Sequence, residues 1–432
     1  MQNTAHLLRT RRFLPIFVTQ FLGAFNDNLF RTSMVMLVIY GIYRDATQEA
    51  TFSAVAGALF ILPFFLLSAL AGQLADSSDK AKIVRIVKTA EILIMVIGAV
   101  GLLLHNVPLL LLALTAMGVH STFFGPIKYA ILPQHLHDGE VLGGTGLVEA
   151  GTYIGILGGT LLGGVLVLQR PDGSFHGEWA AVGVILVAII GRVAGQYVPP
   201  APPDPDAPPL KMDWHIVRAS ITLVNATLHI PRLFLAIIAI SFFWAMGAVL
   251  AAQFPPLVKN ALGADQTVAT LFLATFSVGV ALGSIAINRL LGGNVSARYS
   301  PASALLMGLF VLDLFRRIRS WPVPVAELRD LTTFLAMPNA WMIVVDLLGV
   351  AIAGGMFVVP LYAFLTTTVP KSETARTIAA NNIVNSGFMV FATLILTIAV
   401  QLGVTVGDSL LIVAVASVLA AWLGWKLHLA CG

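Results

Sequence analysis

The chain has 432 residues, 58% hydrophobic and only 11% charged, with a formal net charge of +4 and a mean hydropathy of +0.89. Soluble domains carry about 25% charged residues, so this composition excludes an ordinary soluble domain and points to a polytopic helical membrane protein. The basic excess is then expected on loops facing anionic lipid rather than on nucleic acid. One cysteine, Cys431, leaves no disulfide and no cysteine metal site.

Met1 to Arg12 is basic and leads into a long apolar run without a small-residue cleavage pattern, which reads as an uncleaved first helix. Twelve apolar spans follow, at 13–42, 52–75, 82–104, 108–132, 141–168, 178–198, 232–258, 267–291, 300–315, 341–367, 375–402 and 405–428. The run from Pro199 to Pro209 holds too many prolines for a helix and divides the spans six and six. The expected organisation is an N-terminal six-helix bundle over 1–198, a Pro-rich cytoplasmic linker over 199–231 and a C-terminal six-helix bundle over 232–432. Both termini are expected to be cytoplasmic from the Lys/Arg bias, against which the basic segment 316–329 is the counterexample.

The first span holds Asn26, Asp27, Asn28 and Arg31 near its middle. A charge at the centre of a bilayer helix costs about 2.5–3.5 kcal/mol even on the gentler scales. That face must therefore look into protein or a watery cavity. Asp27 and Arg31, four residues apart, share the face and could pair, or Asp27 could meet a substrate or proton.

The end of span two, Gly72 to Lys82, places Gly72, Asp76, Lys80 and Lys82 in a latch-like pattern. A small glycine permits close helix approach, and Asp76 could cap a neighbouring helix or pair with a base. A degenerate echo, Asn288–Arg289, follows span eight. Span four carries Lys128 and Tyr129 after Gly125–Pro126: the lysine either snorkels to lipid phosphate or clamps a phosphate in a cavity. Glu149 on span five has no local counter-charge, so it faces a cavity or is protonated. Asn381, Asn382 and Asn385 on span eleven form an amide stripe that either binds a polar head group or bridges helices. Glu91 on span three is read as a partner of Lys88, outside the transport machinery. No metal-ligand spacing, nucleotide-binding glycine loop or nucleophile–base set appears, so no cofactor or enzymatic chemistry is expected.

The halves repeat. Pro126-Ile-Lys-Tyr129-Ala-Ile-Leu132 corresponds to Pro360-Leu-Tyr362-Ala-Phe-Leu365, and Gly146-Leu-Val-Glu149-Ala-Gly151 to Asn382-Ile-Val-Asn385-Ser-Gly387. A parallel six-helix repeat is the architecture of major facilitator transporters.

Gln20 to Leu29, Gly125 to Leu132, Gly146 to Ala150, Gly354 to Leu361 and Ala379 to Ile383 resemble the bacterial lysophospholipid transporters of that superfamily. Ser241-Phe-Phe-Trp244 and Ala252-Gln-Phe-Pro255 are similar to the branch fused to acyltransferase and acyl-ligase domains. The resemblance implies a non-enzymatic flippase for lysophosphatidylethanolamine-like lipids in the bacterial inner membrane, with an acyltransferase/acyl-ligase partner or fused domain. It implies Asp27, Lys128 and Glu149 as pocket residues. Read from the residues themselves, Asn28, Arg31, Tyr129, Gln253, Asn381, Asn382 and Asn385 are further substrate-binding candidates. Stand-alone relatives carry a basic residue early in span seven; Val249 to Gln253 has none, which shifts head-group recognition toward Gln253 or Lys128. The alternative is a proton-coupled exporter of amphipathic drugs or metabolites.

Overall fold

The computed structural model describes residues 4–43, 46–169, 175–206, 210–322 and 328–431. Twelve long helices dominate the described residues: α1 Leu14–Met36, α2 Ala46–Ser77, α3 Lys80–Leu104, α4 Val107–Ala130, α5 Asp138–Leu166, α6 Glu178–Gln196, α7 Pro231–Pro256, α8 Gln266–Leu291, α9 Ser300–Arg319, α10 Ala340–Thr367, α11 Thr374–Gln401 and α12 Leu410–Cys431. Ten of these are long and apolar enough to cross a membrane. The other two are α1, which carries Asp27 and Arg31, and α9, which ends in three arginines. A two-residue antiparallel ribbon, with Leu168 opposite His176 and Gln169 opposite Phe175, joins α5 to α6.

Local chemistry sets the helix ends. Asp79 accepts from Ala81 N–H at the start of α3, Asn106 from Leu109 N–H at α4 and Asp265 from Thr267 N–H at α8. Proline occupies the first turn of α1, α4, α7 and α9, where its missing N–H has no intrahelical use. Large apolar side chains such as Leu93, Leu103, Val182, Leu309 and Val415 point outward, as a surface facing hydrocarbon requires.

The chain forms two compact units. One comprises 2–227 with 366–383; the other comprises 228–365 with 384–432. In the first, α5 lies backbone to backbone on α1. A Cβ on Gly159 would stand 2.1 Å from the Phe25 carbonyl and one on Gly163 2.7 Å from that of Leu29, so the glycine repeat is what lets the helices touch. Gln20 fastens the same seam, donating to the Val148 carbonyl at 3.0 Å and accepting from Thr152 at 3.0 Å. An apolar core of Phe30, Met34, Met95, Leu114, Met117 and Val184 fills one part of the unit.

The expected linker 199–231 is extended only in its first part. Residues Ile216–Leu228 form a helix whose Ala219 packs with Ala69 and Ile383. Before it, Asp213 N–H donates to Gln73 Oε1 at 2.8 Å. Arg218 donates to both Asp213 carboxylate oxygens. That bond, helped by His215 N–H, holds the Asp213 carboxyl down to about 2.

In the second unit, Arg316, Arg317 and Arg319 form the last turn of α9, which runs a turn beyond the expected 300–315. Arg317 bonds Asp313 at 2.7 Å and Asp346 of α10 at 2.8 Å. Arg329 donates to the Leu262 carbonyl at 2.8 Å and bridges Ala264 through its backbone.

Candidate functional site

In the first unit α1, α4 and α5 bring the N-terminal candidates together. On α1, Asp27 accepts from Ser121 of α4 at 2.7 Å, and its other oxygen, buried, has no partner among the described residues. The Asp27–Arg31 pairing is not formed: the exposed Arg31 guanidinium lies over the Phe60 ring, 5.8 Å from its centroid. The sharing of one helix face was a necessary condition, but α4 offers Asp27 a nearer hydroxyl and α2 offers Arg31 an aromatic face. Asn28 turns back to its own helix and donates to the Ala24 carbonyl at 2.8 Å.

On α4 the half-buried Lys128 ammonium lies 4.8 Å from the centroid of the adjacent Tyr129 ring. The Tyr129 hydroxyl donates to Glu149 of α5. Glu149 is 1% exposed, and its second carboxylate oxygen has no partner among the described residues. A cation, a phenol and a carboxyl thus stand in sequence across α4 and α5. The arrangement can offer one positive and one negative group to a polar guest.

Beside it lies a network that the sequence reading set aside. Lys88 and Glu91 of α3, each 1% exposed, form an ion pair. Glu91 also accepts from Asn26 of α1 at 2.9 Å and stands 3.3 Å from His120 Nε2 of α4. Ser121, which serves Asp27, lies 3.5 Å from His120 Nδ1. Lys88 reaches inward because Gly23 and Gly191 leave room: a Cβ at either would stand 3.5 or 3.1 Å from its Nζ. The i,i+3 spacing of Lys88 and Glu91 inside an apolar span was the available signal. Their joining of α1 and α4 was not visible, since Asn26 and His120 lie far away in the chain.

Also in the first unit, α2 ends against the start of α11. A Cβ on Gly72 would stand 2.6 Å from Ala379 Cβ. Asp76 accepts from the N–H groups of Ala375 and Arg376 at 3.0 Å each and from Arg376 Nε at 3.1 Å. Asp76 thus caps α11 and pairs with a base in the same residue, Arg376, which the sequence reading did not single out. Lys80 is buried and Lys82 exposed on α3. On α11, Asn381 is fully buried with both amide atoms unpartnered among the described residues, and Asn382 Nδ2 lies 3.3 Å from where a Cβ on Gly125 would stand. Just outside the spans, His135 approaches the Pro200 carbonyl at 3.3 Å. Burial holds its ring pKa below the ordinary value, against these backbone contacts.

In the second unit, Asn385 accepts from Ser241 at 2.7 Å. The Trp244 indole donates to the Tyr362 hydroxyl at 2.7 Å. Gln253 is buried, and its carbonyl oxygen lacks a partner among the described residues. Asn288 is buried near the end of α8, with Arg289 exposed beside it.

The Major Facilitator Superfamily model matches residues 16–315. The chain belongs to that superfamily and is a multi-pass membrane transporter. It is similar to Lysophospholipid transporter LplT of Pectobacterium carotovorum subsp. carotovorum (strain PC1), 26% identical over 404 residues, covering 92% of this chain and 89% of the relative. It is 28% identical over 362 residues to Lysophospholipid transporter LplT of Serratia proteamaculans (strain 568), covering 83% and 80%. Among solved structures, the human organic anion transporter MFSD10 (TETRAN) gives a TM-score of 0.75 at 12% identity, covering 96% of this chain and 99% of that one. The transporter FucP in its outward conformation gives 0.72 at 12% identity, covering 96% and 98%. These structures speak to the fold alone.

Proposed function

We propose that this protein is a flippase for lysophosphatidylethanolamine-like lipids in a bacterial inner membrane, working by alternating access with both termini cytoplasmic. One observation carries the reading: Lys128, Tyr129 and Glu149 line up as cation, phenol and buried carboxyl within the first unit. A zwitterionic head group presents phosphate and ammonium, and this set offers a partner to each. Asp27, whose second oxygen is unsatisfied, is the further anion. The names of the relatives support a lysophospholipid as cargo.

In this reading Asn28, Arg31, Asn381, Asn382, Asn385 and Gln253 supply polar contacts, and Asn381 is the strongest of them because its buried amide is unpaired. Gly72, Asp76, Lys80 and Lys82 act as a conformational latch, with Asn288 and Arg289 as their echo. Asp76 on the N-terminus of α11 supports that role, since breaking it exposes helix N–H groups. An acyltransferase or acyl-ligase, separate or fused, would consume the delivered lipid.

The test is head-group-resolved lysolipid uptake into proteoliposomes, with and without a proton gradient. Lys128→Ala and Asp27→Asn are expected to abolish uptake at unchanged unfolding temperature; full uptake in both removes the clamp. The proton-coupled exporter is a second reading because the buried Glu91 meets the buried His120, which Ser121 joins to the half-buried Asp27. It requires uptake to collapse with an uncoupler, which the flippase does not.

A further inference from the structure

Outside the proposed site, the first unit carries a groove formed by α2, α3 and α4, with a cavity volume of about 870 Å³. Its lining is divided by chemistry. Ser77, Ser78, Asp79 and Lys82 gather at one end. The rest of the walls is apolar apart from His120, with Ile86, Ala90 and Ile94 on α3 facing Ala116, Val119 and Phe123 on α4. From Lys82 to Ile94 helix α3 rises about 18 Å at 1.5 Å per residue. That is close to one leaflet of a hydrocarbon core about 30 Å thick. The groove is open sideways, since Ile86 is 59% exposed.

Water does not fill such a wall: it offers almost no hydrogen-bond partners along its length. Within a bilayer hydrocarbon fills it. The polar end has its own demand. The exposed Lys82 has no acidic partner among the described residues. The nearby Asp79 is already occupied, accepting from Ala81 N–H at 3.0 Å and Ala201 N–H at 2.8 Å. The Ser77 hydroxyl already donates to the Leu74 carbonyl at 3.2 Å. One free cation and the Ser78 side chain at the surface end of a leaflet-deep apolar groove fit one molecular class.

We propose that this groove is a binding site for a resident membrane phospholipid. Its phosphate sits at Lys82 and Ser78, and one acyl chain runs along α3 between α2 and α4 to end beside His120 and Ile94. The occupant is a bilayer lipid, not the transported cargo. The site shares no residue with the Lys128–Tyr129–Glu149 set and does not rest on the transport reading. It gives the buried Glu91–His120 network a hydrocarbon cover on that side.

The experiment is native mass spectrometry of the full chain purified in detergent and titrated with phosphatidylglycerol. One phospholipid is expected to stay bound at energies that strip detergent. Ala90→Trp and Ala116→Trp fill the groove from opposite walls and are expected to lower retention at least tenfold. Lys82→Glu is expected to lower it by a similar factor for phosphatidylglycerol while leaving the cavity open. Circular dichroism melts identify any variant that fails to fold. In the unaltered chain, phosphatidylglycerol with a photoreactive group at its acyl terminus is expected to label peptides within 83–94 and 116–123. Undiminished retention in folded tryptophan variants overturns the proposal, as does labelling elsewhere. A dimer that the tryptophans dissociate assigns the groove to a second copy and also overturns it.

Discussion

The two units carry the same repeat with different chemistry. Tyr129 donates to a carboxyl, Glu149, beside a lysine. Its counterpart Tyr362 accepts from an indole, Trp244, and the counterpart of Glu149 is Asn385, bonded to a serine. In the first unit Lys88, Glu91 and His120 are buried at the level of Asn26 and Asp27. In the second, the described ion pairs around Arg317 sit at the last turn of α9. One framework thus links three helices through interior charge, whereas in the other the buried Asp346 is answered by Arg317 at a helix end and the repeat positions make neutral hydrogen bonds. Buried charge is tolerated only with compensation, so the charged unit has more to lose when one partner of a pair is removed.

The largest effect that would sharpen this contrast comes from Glu91. Glu91→Ala leaves Lys88 buried and unpaired and removes the acceptor of Asn26, a loss of about 3–5 kcal/mol. It should appear as a large fall in unfolding temperature in detergent. Replacing both, Lys88→Met with Glu91→Leu, should recover part of that loss, because no lone charge remains. A double variant as unstable as the single would remove the ion pair as the cause.

Next come the paired tyrosines. Tyr129→Phe deprives a buried carboxyl of its donor, about 1.5–3 kcal/mol for a bond to a charged group, whereas Tyr362→Phe removes a neutral bond, about 1 kcal/mol. Equal losses in thermal melts would break the comparison. Asp76→Ala should follow at about 0.5–2 kcal/mol, the range for a lost helix cap. Faster hydrogen exchange confined to the first turn of α11 would report it.

The smallest effect is the pH response of the Asp213–Arg218 link. Its carboxyl lies below its ordinary value of about 3.9, near 2. The contribution is therefore complete above about pH 4 and is lost only as pH falls through about 2. Protection factors of helix Ile216–Leu228, corrected for the intrinsic pH dependence of amide exchange, should be flat across neutral pH on this account, and a step between pH 5 and 7 would contradict it.

The sequence by itself determined the membrane class, twelve long helices and the repeat, because hydropathy and chain length act locally and need no partner. It marked Asp27, Lys128 and Glu149, because a charge in an apolar run stands out wherever it points. It underrated Lys88 and Glu91 for the opposite reason: they looked self-sufficient at i,i+3, and nothing local showed His120 and Asn26 closing on them.

Only the tertiary structure decided who pairs with whom. Asp27 turns to Ser121 rather than Arg31, and Asp76 meets Arg376 some 300 positions along the chain. Such choices follow from helix packing at glycines, which brings distant backbones within contact distance, and no periodicity along the chain encodes that distance.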